Sequence, residues 1–112
     1  MKVLVIVDAQ NDFITGSLGS KEAQDAIPKM VEKIKEFPQN TLALFTKDTH
    51  YYNYLETREG RELPVKHCMY TTPGWAINDE ISKVVKEKKF YSWNTDEIIN
   101  GRILKETLIF LK

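Results

Sequence analysis

Residues 2–7 read KVLVIV and residues 41–46 read TLALFT, two short and almost unbroken apolar runs. Such runs, rich in β-branched side chains, are typical of strands that are buried on both faces of a parallel sheet. Between them, apolar side chains recur at the spacing of an amphipathic helix: Ile27, Met30, Val31, Ile34 and Phe37. The sequence therefore predicts a strand–helix–strand unit with a right-handed crossover.

The rest of the chain extends this pattern. We predict the first helix over residues 20–37, with its regular part beginning near Ala26, because proline (here Pro28) is tolerated best in a first helical turn. Four further segments are predicted: a long loop over 51–73, a helix over 74–89, a polar turn over 90–101 and a third strand over 102–105 (RILK). The expected architecture is a single α/β domain, residues 1–112, with a parallel sheet and flanking helices.

Charge and cysteine content narrow the class of protein. Lysine and arginine number 16, as do aspartate and glutamate, so the net charge is zero. This balance argues against nucleic-acid and anionic-membrane partners and leaves self-association into a homo-oligomer open. We expect no transmembrane segment and no signal peptide, because the apolar runs are far shorter than the roughly 20 residues that span a bilayer. The single cysteine, Cys68, forms no internal disulfide, which favours a cytoplasmic location.

Polar side chains that could hold a metal ion follow the predicted strands. Asp8 follows the first strand, and Asp48 and His50 follow the second, at the edge where open α/β sheets place their sites. Asp48 and His50 are two residues apart and share one face of an extended chain. With His67 and a loop glutamate they would suit Zn, Mn or Fe. Spacing alone favours the simpler interpretation of two solvated histidines in a polar loop.

Other candidates have two interpretations each. Asp8 is either a general acid or base or a residue that caps the loop after its strand, and position alone leaves the two balanced. Cys68 is adjacent to His67, and because neighbouring side chains point apart, a buried structural thiol is the preferred interpretation. The loop aromatics form either a flat pocket for a ring-shaped substrate or part of the core: Phe13, Tyr51, Tyr52, Tyr54 and Trp75.

Three ordered motifs together resemble one family. They are VIVDAQNDFITGSLG at residues 5–19, FTKDTH at residues 45–50 and LPVKHCMYTTPGW at residues 63–75. The chain resembles the nicotinamidase/isochorismatase-like cysteine hydrolases over residues 2 to about 107. The resemblance implies a Rossmann-like three-layer fold. It also implies a metal-dependent amidohydrolase that converts nicotinamide or a similar small amide to acid and ammonia through a Cys/Asp/Lys triad.

The resemblance also implies a metal centre. Asp48, His50 and His67 match the family's metal ligands. A glutamate shortly before the P-x-H-C segment supplies a further ligand in some members, and this is Glu59 here. Glu56 stands where other members have a histidine, and it remains the alternative ligand. Zinc is the expected ion, with manganese or iron as alternatives.

Catalytic and substrate-binding roles carry over in the same way. Asp8 matches the aspartate that activates the cysteine in the family. The catalytic lysine is assigned to Lys105 in RILKET, with Lys88 in KKFYS as the competitor. The residues matched to substrate binding are Gln10, Phe13 and Trp75.

The chain also departs from the family pattern. After Glu106 and Thr107 it reads LIFLK where F-G-S is expected, so residues 108–112 are interpreted as an aberrant tail and the domain as incomplete. The nucleophilic cysteine is then missing, and we expect the chain to be inactive as it stands, with an open sheet edge. A non-catalytic metal- or ligand-binding fragment is the alternative. A receiver-like signalling domain, phosphorylated on Asp48, is a remote one.

Overall fold

The structure is a computed structural model that describes residues 2–93 of the chain. The regular elements, in chain order, are β1 (Val3–Val7), α1 (Lys21–Lys35), β2 (Leu42–Thr46), α2 (Arg58–Glu62), α3 (Asp79–Glu87) and β3 (Tyr91–Trp93). Two 3₁₀ turns, Asn11–Phe13 and Tyr54–Glu56, lie in the connections that follow β1 and β2. Both turns carry residues that the site uses.

The three strands form one parallel sheet in the order β1-β2-β3. In the pairing of β1 with β2, Val3 lies opposite Leu42 and Val7 lies opposite Thr46. In the pairing of β2 with β3, Leu42 lies opposite Tyr91. All five residues of β2 are buried. The predicted α/β fold with a parallel sheet and helices is confirmed.

The prediction that both of the first two strands are buried on both faces is wrong for β1. Val3 is 43% exposed and Val7 is 50% exposed, whereas Ile6 is only 3% exposed. Within residues 2–93, β1 pairs with β2 alone and is an edge strand. Its alternate side chains therefore cover the core on one face and remain half-accessible on the other.

The core lies between one face of the sheet and the helices α1 and α3. Leu4 and Ile6 of β1 stand beside Ala43 and Phe45 of β2 on that face. The helices contribute Ile27 and Ile34 from α1 and Ile81, Val84 and Val85 from α3. This packing fixes the sheet against its helices and leaves the carboxyl ends of the strands free to carry polar loops.

Helix α1 begins at Lys21, close to the predicted start at Ser20, and its regular part begins earlier than the expected position near Ala26. Ser20 caps it, because its Oγ accepts a hydrogen bond of 3.0 Å from the backbone N–H of Ala23. Pro28 lies inside the helix on its exposed face. Proline removes one backbone hydrogen bond there, but the carbonyl that loses its donor is also on the exposed face, where water can replace it.

The stretch after β2 is more ordered than the predicted loop over residues 51–73, since it contains a 3₁₀ turn and α2. The predicted helix over 74–89 begins only at Asp79. Asn78 caps α3 by accepting hydrogen bonds from the backbone N–H groups of Glu80 and Ile81. Residues 71–76 form turns and bends instead, and Ile77 forms an antiparallel bridge with Gln10.

The predicted turn over residues 90–101 is wrong at its start, because Tyr91–Trp93 forms β3. The connection through α3 returns this short run beside β2 in parallel, where strand pairing overrides its polar flanks. The third strand predicted over residues 102–105 and the tail over 108–112 lie outside the described residues. In the described part of the chain, no helix is long and apolar enough to cross a membrane.

Candidate metal centre

The two histidines meet at the carboxyl edge of the sheet. His50 follows β2, and a parallel bridge joins it to Met69. The backbone N–H of His50 donates to the Cys68 carbonyl at 2.9 Å, and the N–H of Tyr70 donates to the His50 carbonyl at 2.7 Å. This bridge brings His67, the residue before Cys68, alongside His50, and the two ring centroids lie 4.7 Å apart.

Four potential ligand atoms converge at this point. His50 Nε2 lies 3.1 Å from Asp48 Oδ2 and 3.1 Å from Glu59 Oε2. His67 Nε2 lies 3.3 Å from the same Asp48 oxygen and 3.8 Å from the same Glu59 oxygen. A tetrahedral zinc ion 2.0–2.1 Å from its ligands would separate neighbouring ligand atoms by about 3.3 Å. The ligand atoms of Asp48, His50 and His67 lie within 4.8 Å of one another, a spacing that suits one divalent ion, and the Glu59 carboxylate lies beside both histidines.

The second ring nitrogen of His67 fixes the orientation and the tautomer of its ring. Its Nδ1 lies 2.7 Å from the Val65 carbonyl, which accepts a hydrogen bond from it, and the residue is only 3% exposed. With the proton on Nδ1, Nε2 presents a lone pair to the carboxylate oxygens of Asp48 and Glu59. Lone pairs facing each other repel unless a proton or a metal cation lies between them. Two imidazole nitrogens and carboxylate oxygens are also a donor set that suits a divalent cation.

Glu59 reaches the histidines because α2 packs closely on the preceding 3₁₀ turn. Thr57 caps α2, and its Oγ1 accepts a hydrogen bond of 3.0 Å from the Gly60 N–H. A Cβ at Gly60 would lie 1.9 Å from the Tyr54 carbonyl oxygen, so only glycine permits this approach. Of the two glutamates considered from the sequence, Glu59 rather than Glu56 has its carboxylate beside both histidines.

The Tyr54 ring packs against the rings of both histidines. Its ring meets His50 edge-on at a centroid distance of 4.6 Å and His67 at 5.3 Å. The residue is 1% exposed, and its hydroxyl donates to the Leu63 carbonyl at 2.7 Å. Burial raises the pKa of Tyr54, and the nearby carboxylate of Glu59 raises it further. Of the two interpretations of this residue, core packing is the one that the structure supports.

Asp8 lies at the end of β1 with its backbone in the left-handed region, at φ 50°. Its Oδ1 accepts a hydrogen bond of 2.7 Å from the Thr46 hydroxyl. Its own N–H lies 3.0 Å from that Thr46 oxygen and 3.2 Å from the Thr46 carbonyl. A left-handed non-glycine residue is uncommon and is typical of functional sites.

The side chains predicted to contact substrate occupy three different environments. The Phe13 ring lies 5.7 Å from that of His67, at the metal centre. The indole N–H of Trp75 donates to Thr49 Oγ1 at 2.9 Å, and Lys47 Nζ lies 3.1 Å from the centroid of the Trp75 ring. Gln10 is fully buried, and its amide is bonded to backbone atoms of the protein.

Asp12 has a structural role that the sequence did not reveal. Its Oδ2 accepts a hydrogen bond of 2.7 Å from the Cys68 N–H. A Cβ at Gly16 or Gly74 would lie 2.1 Å from a carboxylate oxygen of Asp12, so both glycines leave room for it. Cys68 has φ 49°, and the carboxylate anchors this unusual conformation just after His67. The recurrence of QNDF in the family motif was the available signal, but it did not indicate the partner.

Cys68 is a buried thiol, as predicted. It is 0% exposed, and desolvation raises its pKa to about 12, with the carboxylates of Asp48 and Asp12 adding to the rise. A thiol that stays protonated is a poor nucleophile.

Of the two candidate lysines, only Lys88 falls within the described residues, and it does not lie at the centre. Lys105 lies outside them. Lys88 follows α3, and its Nζ donates to the Lys35 carbonyl at 3.0 Å. It precedes Tyr91, which pairs with the first residue of β2, so it lies toward the amino edge of the sheet.

Comparisons with known proteins agree with this geometry. The Isochorismatase domain family model matches residues 2–109. No curated protein sequence matches the chain. The zinc complex of the Pyrococcus horikoshii pyrazinamidase is 31% identical, with a TM-score of 0.55, and the match covers 84% of this chain and 52% of that one.

Two more distant structures support the fold alone. The yeast nicotinamidase bound to the inhibitor nicotinaldehyde has a TM-score of 0.61 at 21% identity, with 85% of this chain and 56% of that one covered. The N-carbamoylsarcosine amidase of Thermoplasma acidophilum has a TM-score of 0.57 at 24% identity, with 91% and 62% covered. The chain thus spans little more than half the length of these proteins. The receiver-like alternative is set aside, and the chain belongs to the Isochorismatase domain family.

Proposed function

We propose that this chain carries the metal-binding part of a metal-dependent amidohydrolase that acts on nicotinamide or a similar small amide. The observation that carries the proposal is the convergence of the Asp48, His50 and His67 ligand atoms within 4.8 Å of one another, with the Glu59 carboxylate beside both histidines. Family membership and the zinc complex of the pyrazinamidase support it. Zinc is the proposed ion, with manganese or iron as alternatives.

A bound divalent ion would supply a Lewis-acid site at this edge of the sheet. The chain's own residues would then orient the substrate beside it. Phe13 offers an aromatic face for a ring beside His67, whereas Lys47 covers one face of the Trp75 ring and leaves the other for a substrate contact. Asp8 holds a carboxylate whose Oδ1 is fixed by Thr46. Were a nucleophile supplied from outside these residues, Asp8 would accept its proton and Lys105 would stabilise the developing negative charge.

The nucleophile is the part that these 112 residues do not supply. Cys68 is the single cysteine in the sequence, and its burial and raised pKa of about 12 make it unsuitable. We therefore propose that this chain by itself binds metal but does not hydrolyse amides through a thioester. A non-catalytic metal- or ligand-binding role is the second candidate, and the same inert thiol favours it. A cytoplasmic location and self-association remain predictions.

The metal proposal is tested by elemental analysis of the purified, folded chain together with a zinc titration. We expect close to one ion per chain, lost in Asp48→Ala and in His67→Ala, and weakened in Glu59→Ala. Glu62→Ala is the matched control, because Glu62 lies on the same short helix but pairs with Arg58 at the surface. Folded protein without metal, or metal retained in both the Asp48 and His67 variants, would overturn the proposal.

The catalytic part is tested by ammonia release from nicotinamide and pyrazinamide, with the zinc-loaded chain alone. We expect no release above the uncatalysed rate. Hydrolysis at an enzymatic rate that Asp8→Asn abolishes would show that a different nucleophile is at work and would refute the account of Cys68.

A further inference from the structure

Gln10 is a buried amide whose hydrogen-bonding groups are used within the protein. The residue is 0% exposed. Its Oε1 accepts a hydrogen bond of 2.9 Å from the Asp48 N–H, and its Nε2 donates to the Asp48 carbonyl at 2.8 Å. The Nε2 group also donates to the Trp75 carbonyl at 2.9 Å. A primary amide has two N–H donors, so none remains for a substrate.

The two hydrogen bonds to Asp48 fix the backbone of a residue that strand pairing leaves unconstrained. Strand pairing of β2 ends at Thr46, so Asp48 is beyond the last residue whose orientation the β1 ladder determines. The amide of Gln10 binds both the N–H and the carbonyl of Asp48, as a neighbouring strand would. Two bonds to one residue restrict its rotation as well as its distance.

The orientation of Asp48 matters because its Oδ2 is the atom that joins the two histidines. It lies 3.1 Å from His50 Nε2 and 3.3 Å from His67 Nε2. Metal sites tolerate errors of only about 0.2 Å in ligand distance. A small rotation of the Asp48 backbone would move this oxygen by more than that.

We propose that Gln10 is a positioning residue of the metal centre, which sets the Asp48 carboxylate and ties it to the Trp75 segment. The proposal rests on the metal binding proposed above and replaces the substrate contact expected for Gln10 from the sequence. Residues that orient metal ligands without touching the ion typically contribute about 10- to 100-fold to metal affinity. We expect an effect of that size for Gln10.

The test is a zinc titration of the full chain, with the unfolding midpoint of the metal-free protein measured in parallel. Gln10→Met keeps the length of the side chain and removes all three hydrogen bonds. Thr41→Val is the matched control: Thr41 is also 0% exposed, its hydroxyl donates to the Pro38 carbonyl at 2.6 Å, and it precedes the other end of β2. Gln10→Glu retains an acceptor for the Asp48 N–H.

We expect Gln10→Met to weaken zinc binding about 10- to 100-fold and Thr41→Val to bind as tightly as the unaltered chain. Gln10→Glu should lose at least as much as Gln10→Met, because its buried carboxylate would face the Asp48 and Trp75 carbonyl oxygens without a donor. Full zinc affinity in Gln10→Met would overturn the inference and leave the metal site standing. An equal loss in Thr41→Val would also overturn it, because affinity would then follow general stability. If Gln10→Met does not fold, Gln10→Glu against Thr41→Val decides by the same criteria. An unaltered chain that binds no zinc would refute the proposed function and this inference together.

Discussion

Replacing Gly60 with alanine should displace Glu59, the fourth candidate ligand, although Glu59 itself is unchanged. A Cβ at this position would lie 1.9 Å from the Tyr54 carbonyl oxygen and 2.8 Å from the Leu55 Cα. Both are backbone atoms, so no side chain can rotate away to make room. Restoring an ordinary contact of roughly 3.5 Å requires α2 to move by about 1.5 Å away from the 3₁₀ turn.

Such a displacement is large compared with the tolerance of a metal site. Glu59 is the residue before Gly60, and its Oε2 lies 3.1 Å from His50 Nε2. A shift of about 1.5 Å exceeds the roughly 0.2 Å that metal–ligand distances allow. We expect Gly60→Ala to weaken zinc binding about 10- to 100-fold. The free energy of unfolding should fall by about 1–3 kcal/mol from overpacking.

The assay is zinc competition against a chromophoric chelator for Gly60→Ala, Glu59→Ala and the double variant. If Gly60 acts through Glu59, the double variant should bind no more weakly than Glu59→Ala alone. Gly19→Ala is the control, because its Cβ would lie 2.5 Å from the Ile14 carbonyl oxygen, in a loop that carries no ligand. Additive losses in the double variant, or an equal loss in Gly19→Ala, would refute the reasoning.

Four further predictions concern the residues around the centre. Tyr54→Phe should lower the free energy of unfolding by about 1 kcal/mol in a urea titration, because it removes the hydrogen bond to Leu63. Asp12→Ala should cost about 1–3 kcal/mol in the same assay, because the N–H of Cys68 loses its acceptor. The thiol of Cys68 should resist iodoacetamide at pH 8 until the protein is unfolded, since its pKa is raised to about 12. For the same reason stability should fall as pH rises from about 9 toward 12, because the unfolded state then releases a proton that the folded state retains.

Control variants distinguish these effects from a general loss of stability. Tyr52→Phe should be neutral, because Tyr52 is 92% exposed, and an equal loss there would contradict the account of Tyr54. Asp25→Ala, on the exposed face of α1, should cost less than Asp12→Ala. Alkylation of the folded chain at the rate of a free thiol would show that Cys68 is accessible.

The candidate ligands that follow strand β2 were suggested by the family resemblance, because spacing alone favoured two solvated histidines. Asp48 and His50 share a face of the chain just after a strand, and the P-x-H-C motif identified His67. The role of Gln10 was not predictable in this way. Its amide is bonded to backbone atoms 38 and 65 residues away, and those contacts depend on the tertiary fold. The same holds for Asp12, whose partner is 56 residues distant.

Secondary structure was predicted well where periodicity was strong and poorly where it was short. The helical spacing of its apolar residues predicted the extent of α1. Pro28 suggested that the regular part begins near Ala26, but the cap at Ser20 starts the helix at Lys21. Strand β3 has only three residues, too few for a pattern, and pairing with β2 defines it. The start of α3 depends on the cap at Asn78, which competes with the apolar residues before it.

Every candidate ligand lies within one continuous stretch of the chain, from Asp48 to His67. The segments between successive ligands are short, so closing them into one site costs little chain entropy. During synthesis this stretch leaves the ribosome after β1 and α1, the elements on which β2 packs. The supporting segment that ends at Trp75 follows only a few residues later. The order of the chain therefore allows this centre to assemble early, as a nucleus on which the remaining sheet can grow.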